Sequence, residues 1–455
     1  MNIYINVEVS TRELDSKILL AILAAARGHR VIVSDSESII KGVLQGVLAP
    51  GIFHTKSLTP ADHKIDLHQI LIEKGFKITS NDEEAGVEQD SFEWFGKNRF
   101  SDQMIDQASA VFTWGLEDTK FLKNLYPQHS SKIHMTGSPR VDLWKPFFSN
   151  YWSLPKGAPT KPFLLVSSNM SQSNGQGFFE RYKLKKKLGY YQRGTEEFKR
   201  DCGQVAESIL KTYSFIKALR HISKKKVGYD IVLRPHPAEN IEIWKTYLED
   251  VPNIHIIRED SISAWVNNAF AVMQNGCTTG VEATINRTPL INYTDFQPII
   301  YWTKPYDLGF NVNNPDDLLI KVNSLFKNSE SKGQKKVNEN LPSIINNKIY
   351  LDNNELAAEK IVNLWKILEE NSISKPFNLR RFKLLLKFIK FRKMIGKARK
   401  NLLLGKSKVL VSDEKFPSLK KDNIQVRVKK FQEILGIENI KCEVLSDRTI
   451  LIEKQ

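Results

Sequence analysis

The segment 231–237 carries side chains suited to holding a phosphate group. It is an apolar run that ends in Arg234, a proline, His236 and a second proline. Prolines fix φ, so we expect a restrained loop at the end of a buried strand. The fork of Arg234 suits phosphate oxygens, and His236 can donate a hydrogen bond or a proton to a leaving phosphate. Alternatively, His236 only caps the loop and Arg234 pairs with a carboxylate such as Glu239.

A second segment, 272–283, predicts an apolar strand, a turn of small residues and the start of a helix. Free amides at a helix N-terminus favour an anion, and threonine hydroxyls add donors beside them. A carboxylate one turn inside the helix can accept from ribose hydroxyls. The candidate binding residues are Asn275, Gly276, Thr278, Thr279, Gly280 and Glu282. The alternative is ordinary capping by Thr278 or Thr279 with Glu282 as the capping-box partner.

Two further candidates also follow predicted strands. Ser168 and Asn169 come directly after the apolar run 162–166, although small polar residues are common in any turn. Asp82, Glu83 and Glu84 follow the run 76–79. Crowded like charges raise the pKa of at least one carboxylate, which makes a usable general base. The alternative is a solvated acidic loop.

Several familiar kinds of site have no support in the sequence. No Asp-x-Asp occurs, and neither do the glycine-rich dinucleotide and P-loop motifs or a Gly-x-Ser-x-Gly elbow. The three cysteines Cys202, Cys277 and Cys442 lie far apart, which favours neither disulfides nor zinc. We therefore expect no bound metal, no cofactor and a reducing cytoplasm.

The elements that position these loops alternate between strand and helix. Residues 2–7 read as a strand and 11–27 as a helix, and the pattern restarts after a break rich in proline and polar residues at 146–162. Later elements include a helix over 196–225 and a helix over 279–286. This alternation predicts an α/β fold with two Rossmann-like lobes facing a cleft, where ligands bind beyond the carboxyl ends of the strands.

The chain of 455 residues is long enough for two full domains and a smaller part. We predict an acceptor lobe over 1–150, a nucleotide-sugar donor lobe over 158–372, a basic amphipathic segment over 376–408 and a small α+β appendage over 409–455. The start of the chain reads as a strand rather than a signal peptide.

The net charge of +16 is concentrated in one place. Twelve Lys or Arg and no Asp or Glu lie between Arg380 and Lys408. Apolar residues interleave with them, including Phe382, Leu385, Leu386, Phe388, Ile389, Phe391 and Ile395. An amphipathic helix over 379–408 on an anionic membrane surface is predicted, rather than nucleic-acid binding. The alternative is a helix that packs on the protein's own lobes.

With these residues in view, the sequence resembles bacterial surface-carbohydrate biosynthesis proteins of the GT-B type. These are loosely related to polysialyltransferases, capsular Kdo transferases and polyol-phosphate polymerases of wall teichoic acid, and the resemblance covers about 1–370. It implies that Glu83 or Glu84 is the base, that His236 is the leaving-group acid, and that Thr278 and Thr279 bind phosphate. Here Ala85 separates the acidic residues from the glycine that follows them in the family, so the choice among Asp82, Glu83 and Glu84 stays open.

The resemblance implies a glycosyltransferase. The absence of Asp-x-Asp predicts that it is metal-independent, and the basic segment predicts that it lies on the inner face of the plasma membrane. Its donor would be a nucleotide sugar, with CMP or CDP favoured and a CMP-activated ulosonic acid as one candidate. Its acceptor would be a growing surface polysaccharide or a lipid-linked glycan. The alternatives are a nucleotide-sugar 2-epimerase and a carbohydrate-assembly protein without catalysis.

Overall fold

The computed structural model describes residues 1–85, 92–175, 182–183, 186–187, 194–224, 228–297, 308–332, 342–352, 354–369, 376–404 and 416–455. These residues form two compact units. The first unit joins Met1–Leu143 to Ser343–Gln455, and the second unit is Trp144–Pro342. The glycine at position 86, which the family resemblance uses, lies outside the described residues.

The first unit is built on a mostly parallel sheet. In sheet order its described strands are β13 (Ile440–Ser446), β14 (Thr449–Lys454), β2 (Arg30–Ser34), β1 (Asn2–Asn6), β3 (Ile52–Thr55), β4 (Lys77–Asn81), β5 (Ala110–Thr113) and β6 (Ile133–Met135). Strands β1 to β6 run parallel, whereas β14 pairs antiparallel with β2 and with β13.

Helices accompany this sheet along the chain. They are α1 (Ser10–Ala26), α2 (Ser36–Leu44), α3 (Asp62–Glu73), α4 (Phe92–Arg99), α5 (Asp102–Gln107), α6 (Leu116–Leu125) and α7 (Pro139–Asp142), with a 3₁₀ turn at Pro127–Lys132. Helix α1 is apolar along most of its length and its residues are almost all buried.

The second unit has a sheet in which every described pairing is parallel. Its strand order is β12 (Phe310–Val312), β11 (Leu290–Tyr293), β10 (Ala271–Gln274), β7 (Phe163–Ser167), β8 (Asp230–Arg234) and β9 (Ile254–Ile256). Its helices are α8 (Glu196–Ser223), α9 (Ile241–Leu248), α10 (Ile262–Asn268), α11 (Thr278–Ile285) and α12 (Pro315–Lys332), with a 3₁₀ turn at Pro146–Tyr151. Strands β7, β8 and β10 are buried along their whole length, as continuous apolar runs in parallel sheets usually are.

The remaining helices return to the first unit. They are α13 (Ser343–Lys348), α14 (Ala357–Glu369), α15 (Leu379–Leu404) and α16 (Lys421–Leu435). In α14 the Trp365 indole donates to Thr79 Oγ1 in β4 at 3.1 Å. In β14, Ile450 and Ile452 are fully buried beside β2.

The predicted α/β class with two Rossmann-like parallel sheets is confirmed by these two units. The unit boundaries differ from the predicted domains at two places. Residues 343–369 pack in the first unit rather than with the donor lobe, and 440–454 extend the first sheet rather than forming a separate appendage. Both differences arise because these two segments, although late in the sequence, bury their apolar residues in the first unit. No helix in the described part of the chain is long and apolar enough to cross a membrane.

Candidate functional site

The second sheet reverses its strand order between β7 and β10. The chain steps from β7 to β8 and β9 on one side, then returns to β10 on the other side of β7. Ligands of doubly wound sheets bind in the crevice beyond the carboxyl ends of the strands at such a switch point. The last residue of β7 with the loop after it, 167–169, and the turn after β10 with the start of α11, 275–279, both lie at this edge.

Side-chain contacts join these two loops. The hydroxyls of Ser167 and Thr279 are hydrogen-bonded at 3.1 Å, and the Ser167 hydroxyl lies 3.4 Å from the sulfur of Cys277. Asn169 Nδ2 donates to the carbonyl of Gly276 at 3.0 Å. Gly276 has φ +72°, a left-handed conformation that favours glycine. The structure therefore brings together the two segments that the sequence singled out separately.

The turn leads directly into α11. Its N-cap is Cys277, whose side chain makes no capping hydrogen bond, and the Cys277 amide donates to Gln274 Oε1 at 2.7 Å. The Gly280 amide donates back to the Cys277 carbonyl at 3.1 Å. The amides of Thr278 and Thr279 lie between these two, in the first turn, where a helix supplies no acceptor of its own. Capping by a threonine hydroxyl, the alternative from the sequence, is not what the structure shows.

Three other predicted residues of this segment are packed into the protein. Asn275 donates its amide to the Tyr293 carbonyl at 2.6 Å and to the Thr294 hydroxyl at 2.8 Å, which holds the turn in place. A Cβ added at Gly280 would lie 2.9 Å from the side-chain nitrogen of Gln274, so a larger residue there requires Gln274 to shift. Glu282 is 3% exposed.

A buried carboxylate that the sequence reasoning did not select as a site residue links two of the strand-end loops. Glu239 Oε2 accepts from the Ser168 hydroxyl at 2.8 Å and from the Trp244 indole at 2.7 Å. Glu239 Oε1 accepts from the amide of Met170 at 2.8 Å and from that of His236 at 3.4 Å. Burial raises the pKa of Glu239, and these hydrogen bonds oppose the rise. The sequence held one sign that Glu239 belongs to the site, since it lies three residues after His236.

Arg234 is engaged by backbone rather than by a carboxylate. Its terminal nitrogens donate to the carbonyls of Arg258, Glu259 and Asp260, the last at 2.7 Å. Its guanidinium also lies over the Trp265 ring at 5.5 Å from the centroid. Burial lowers the pKa of Arg234 to about 10, although Asp260, Glu259 and Glu282 oppose the shift. The pair with Glu239, which was the alternative from the sequence, is not formed, and the fork instead holds the loop 258–260.

His236 lies in the loop after β8 and is exposed. Its Nδ1 accepts a hydrogen bond from the Ala238 amide at 3.2 Å. When the ring is neutral, its proton is therefore carried by Nε2. The amide of His236 is tied to Glu239, so the backbone of the loop is fixed while the ring stays accessible.

In the first unit, the three acidic residues after β4 have three different environments. Asp82 is buried and accepts two hydrogen bonds from Arg99, at 2.8 and 2.9 Å, and one from the Glu84 amide at 2.9 Å. Burial raises the pKa of Asp82, and Arg99 opposes the rise. Glu84 is exposed and bonds to Arg99 at 2.9 Å, with Arg12 at 3.6 Å.

Glu83 is buried beside a buried lysine. Its Oε1 lies 2.5 Å from Lys17 Nζ, and both side chains are at most 3% exposed. Its Oε2 is also buried and has no hydrogen-bond partner among the described residues. His54 is fully buried, and its Nε2 also has no hydrogen-bond partner among the described residues. Burial together with Lys17 holds the pKa of His54 well below its usual value. Arg140 donates to the Glu83 carbonyl at 3.1 Å.

The solvated-loop alternative therefore describes Glu84 but not Asp82 or Glu83. Over the residues that the structure describes, no three His, Cys, Asp or Glu side chains are grouped as they are around a metal ion.

Comparisons with known proteins give structural similarities only. No protein-family profile matches the chain, and no curated protein matches it. The UDP-GlcNAc 2-epimerase from Methanocaldococcus jannaschii aligns with a TM-score of 0.46 at 13% identity, covering 81% of this chain and 100% of that one. A co-structure of S. aureus MnaA with UDP aligns at 0.45 and 12% identity, covering 82% and 98%. A variant of the wall teichoic acid polymerase TagF, soaked with CDPG, aligns at 0.47 and 11% identity, covering 81% and 89%.

Proposed function

We propose that this protein is a metal-independent glycosyltransferase that moves a sugar from a nucleotide donor to a growing surface polysaccharide or a lipid-linked glycan. The observation that carries the proposal is the junction of two loops at the switch point of the second sheet. There the hydroxyls of Ser167 and Thr279 meet beside the first amides of α11. Amides and hydroxyls at a helix start are suited to a phosphate group.

The donor phosphate would accept from the amides of Thr278 and Thr279 and from the Thr279 hydroxyl. Asn169 and Gly276, already joined to each other, would line the same crevice, and Ser168 would be oriented by Glu239. Arg234 would act as a positioning residue, since its nitrogens hold the backbone of 258–260. Glu282, predicted to accept from ribose hydroxyls, is buried inside α11 and is left out of this proposal. We favour a CMP- or CDP-linked donor, with a CMP-activated ulosonic acid as the first candidate.

The base on the acceptor side would be Glu83 rather than its neighbours. Asp82 has both oxygens engaged by Arg99, and Glu84 lies in solvent. Glu83 keeps one oxygen on Lys17 and the other without a hydrogen bond among the described residues. That second oxygen is buried, so it would take the proton of the acceptor hydroxyl only after the groups that cover it move aside.

His236 would assist the departing phosphate. As the bond from the anomeric carbon to the phosphate oxygen breaks, the negative charge on the phosphate increases, and Nε2–H of His236 would donate to it. Electrostatic stabilisation by the helix amides would contribute most, and acid–base assistance would add roughly 10²–10⁴-fold. An anionic membrane on the cytoplasmic side would be the partner of 379–408 and would bring the enzyme to a lipid-linked acceptor.

The donor site is tested by thermal shift with CMP, CDP, UDP and GDP. A nucleotide that binds only the native state raises the melting temperature, and we expect CMP or CDP to raise it most. Thr279→Val removes the hydroxyl at constant shape and should weaken binding about fivefold, since one hydrogen bond contributes about 1 kcal/mol. Thr246→Val, on the exposed side of α9, is the matched control and should bind as the wild type does.

Product analysis separates transfer from the alternatives. Nucleotide sugar with an acceptor glycan should give an elongated glycan and free nucleotide. Donor alone converted to its 2-epimer would identify an epimerase instead. Nucleotide binding with neither product would indicate an assembly protein without turnover. If a nucleotide raised the melting temperature of Thr279→Val as much as that of the wild type, the switch-point crevice would no longer be the proposed donor site.

A further inference from the structure

Helix α15 buries one apolar stripe in the first unit. Phe382, Leu385, Leu386 and Ile389 are at most 6% exposed. They share a core cluster with residues of the sheet and of α2, among them Tyr4, Ile32, Ile39, Val43, Phe53, Ile78 and Leu451. Lys393, in the next turn, pairs with Asp35 at 3.1 Å and with Glu37 at 2.9 Å. The beginning of α15 is therefore fixed to the first unit along this face.

A second apolar stripe lies on the opposite side of the same helix. Leu384 is 65% exposed, Phe388 and Phe391 are each 54% exposed, and Ile395 is 38% exposed. Steps of four, three and four residues place these side chains in one row along a helix. The row lies about half a turn from the buried stripe, because two residues, such as 382 and 384, are separated by roughly 200° around the axis.

Cations border this exposed stripe on both sides. Arg380 and Lys387 lie along one border, and Arg381 and Arg392 lie along the other, all of them exposed. The whole helix contains no Asp or Glu. Apolar side chains, two of them aromatic, bordered by cations are what an anionic bilayer surface binds at the level of its headgroups.

We infer that the stripe Leu384, Phe388, Phe391 and Ile395 inserts into the headgroup region of an anionic leaflet while α15 stays docked on the first unit. This inference rests on the proposed function only in taking the glycan acceptor to be at the membrane. It names the residues that would contact the membrane partner proposed above. A second copy of the chain is a poorer occupant, because pairing two such stripes would bring the cations of both helices together.

The sequence predicted one amphipathic helix on a membrane and, as the alternative, a helix that packs on the protein's own lobes. The structure shows such packing for Phe382, Leu385, Leu386 and Ile389, which belong to the protein's own core. A helix that binds lipid with only its outer face does not need to detach. Membrane binding should therefore leave the fold of the first unit unchanged.

The test is co-sedimentation of the full chain with vesicles. We expect binding to phosphatidylcholine mixed with equal parts of phosphatidylglycerol, little binding to phosphatidylcholine alone, and release by added salt. Phe388→Ser with Phe391→Ser should weaken binding to the anionic vesicles roughly 10- to 100-fold, because the exposed half of each phenylalanine would lose its burial among the headgroups. Ile70→Ser with Val426→Ser, two exposed apolar residues elsewhere in the unit, should leave binding unchanged.

A charge pair completes the experiment. Lys387→Glu with Lys390→Glu should weaken anionic binding at least tenfold, whereas Lys120→Glu with Lys123→Glu on α6 makes the same change in net charge and should weaken it far less. Equal binding by the phenylalanine variant and the wild type, or equal binding to both vesicle types, would overturn the inference. So would a phenylalanine-dependent dimer by light scattering without vesicle binding. Nucleotide shifts and transfer to a soluble acceptor should be unaffected by the phenylalanine changes, so the two proposals fail separately.

Discussion

The carboxyl ends of the two parallel sheets carry opposite kinds of chemistry. In the first unit, full charges meet in buried pairs, such as Lys17 with Glu83 and Arg99 with Asp82. In the second unit, the switch-point loops meet through hydroxyls and backbone amides, and the nearby Arg234 is engaged by backbone carbonyls. The first edge pairs buried side chains of opposite charge, and the switch point of the second sheet presents neutral donors.

The two edges differ because each has to be stable when no substrate is bound. A buried carboxylate needs a counter-ion or several hydrogen bonds, and Glu83, the proposed base, has Lys17 beside it and one oxygen without a hydrogen bond among the described residues. A phosphate site made of amides and hydroxyls leaves no unpaired charge behind when its ligand departs. We therefore expect changes in the first unit to alter stability together with activity, and changes in the second to alter activity alone.

The largest effect is expected from Glu83→Gln. Loss of the base should lower transfer by roughly 10²–10⁴-fold. The glutamine keeps an oxygen that can accept from Lys17 but leaves the buried ammonium without a counter-ion, so the melting temperature should fall as well. Steady-state transfer rates and a melting curve on the same preparation measure the two effects.

Glu84→Gln is the matched control because Glu84 is the neighbouring carboxylate in solvent. We expect its transfer rate to stay within about threefold of wild type, as a surface ion pair contributes little. If Glu84→Gln were the inactive variant and Glu83→Gln the active one, the base would be assigned to the wrong carboxylate.

A second effect is expected from Lys17→Met. This change leaves Glu83 buried without its partner, which should cost about 3–5 kcal/mol of the free energy of unfolding. The double variant Lys17→Met with Glu83→Gln should recover part of that loss, because the uncompensated charge is gone. Chemical denaturation of the two variants gives both free energies. A single variant as stable as wild type would show that the pair is not buried as a unit.

The sequence was sufficient for the strands that precede the candidate loops of the second unit. The strands β7, β8 and β10 were predicted from their apolar runs, and helix α11 was predicted within one residue of its observed ends. Parallel strands share one edge for their carboxyl ends, so the segments that follow them had to lie there. This reasoning needs only local periodicity, and local periodicity is what a single sequence supplies.

The partners of the charged residues could not be predicted in this way. Arg234 reaches carbonyls of 258–260, and Glu239 joins loops that follow two different strands. Lys17 and Glu83 meet across helix α1 and the end of β4. Such pairings are set by how elements pack, and periodicity does not encode packing. The return of β14 to the first sheet was missed for the same reason, since its pattern indicates a strand but not the sheet that it joins.

The smallest loss is expected from His236→Ala. It lies in the second unit, where we expect a change to lower activity without lowering stability. The ring is exposed, so we expect the melting temperature to change little, while transfer falls about 10²-fold with the loss of one donor to the phosphate. His236→Gln keeps a donor group and should lose less. The half-exposed His255, on β9, supplies the matched control His255→Ala, which should retain its transfer rate. Full activity of His236→Ala would end the assignment of His236 as the leaving-group acid. A melting temperature lowered as far as that of Lys17→Met would show that changes in the second unit alter stability as much as changes in the first.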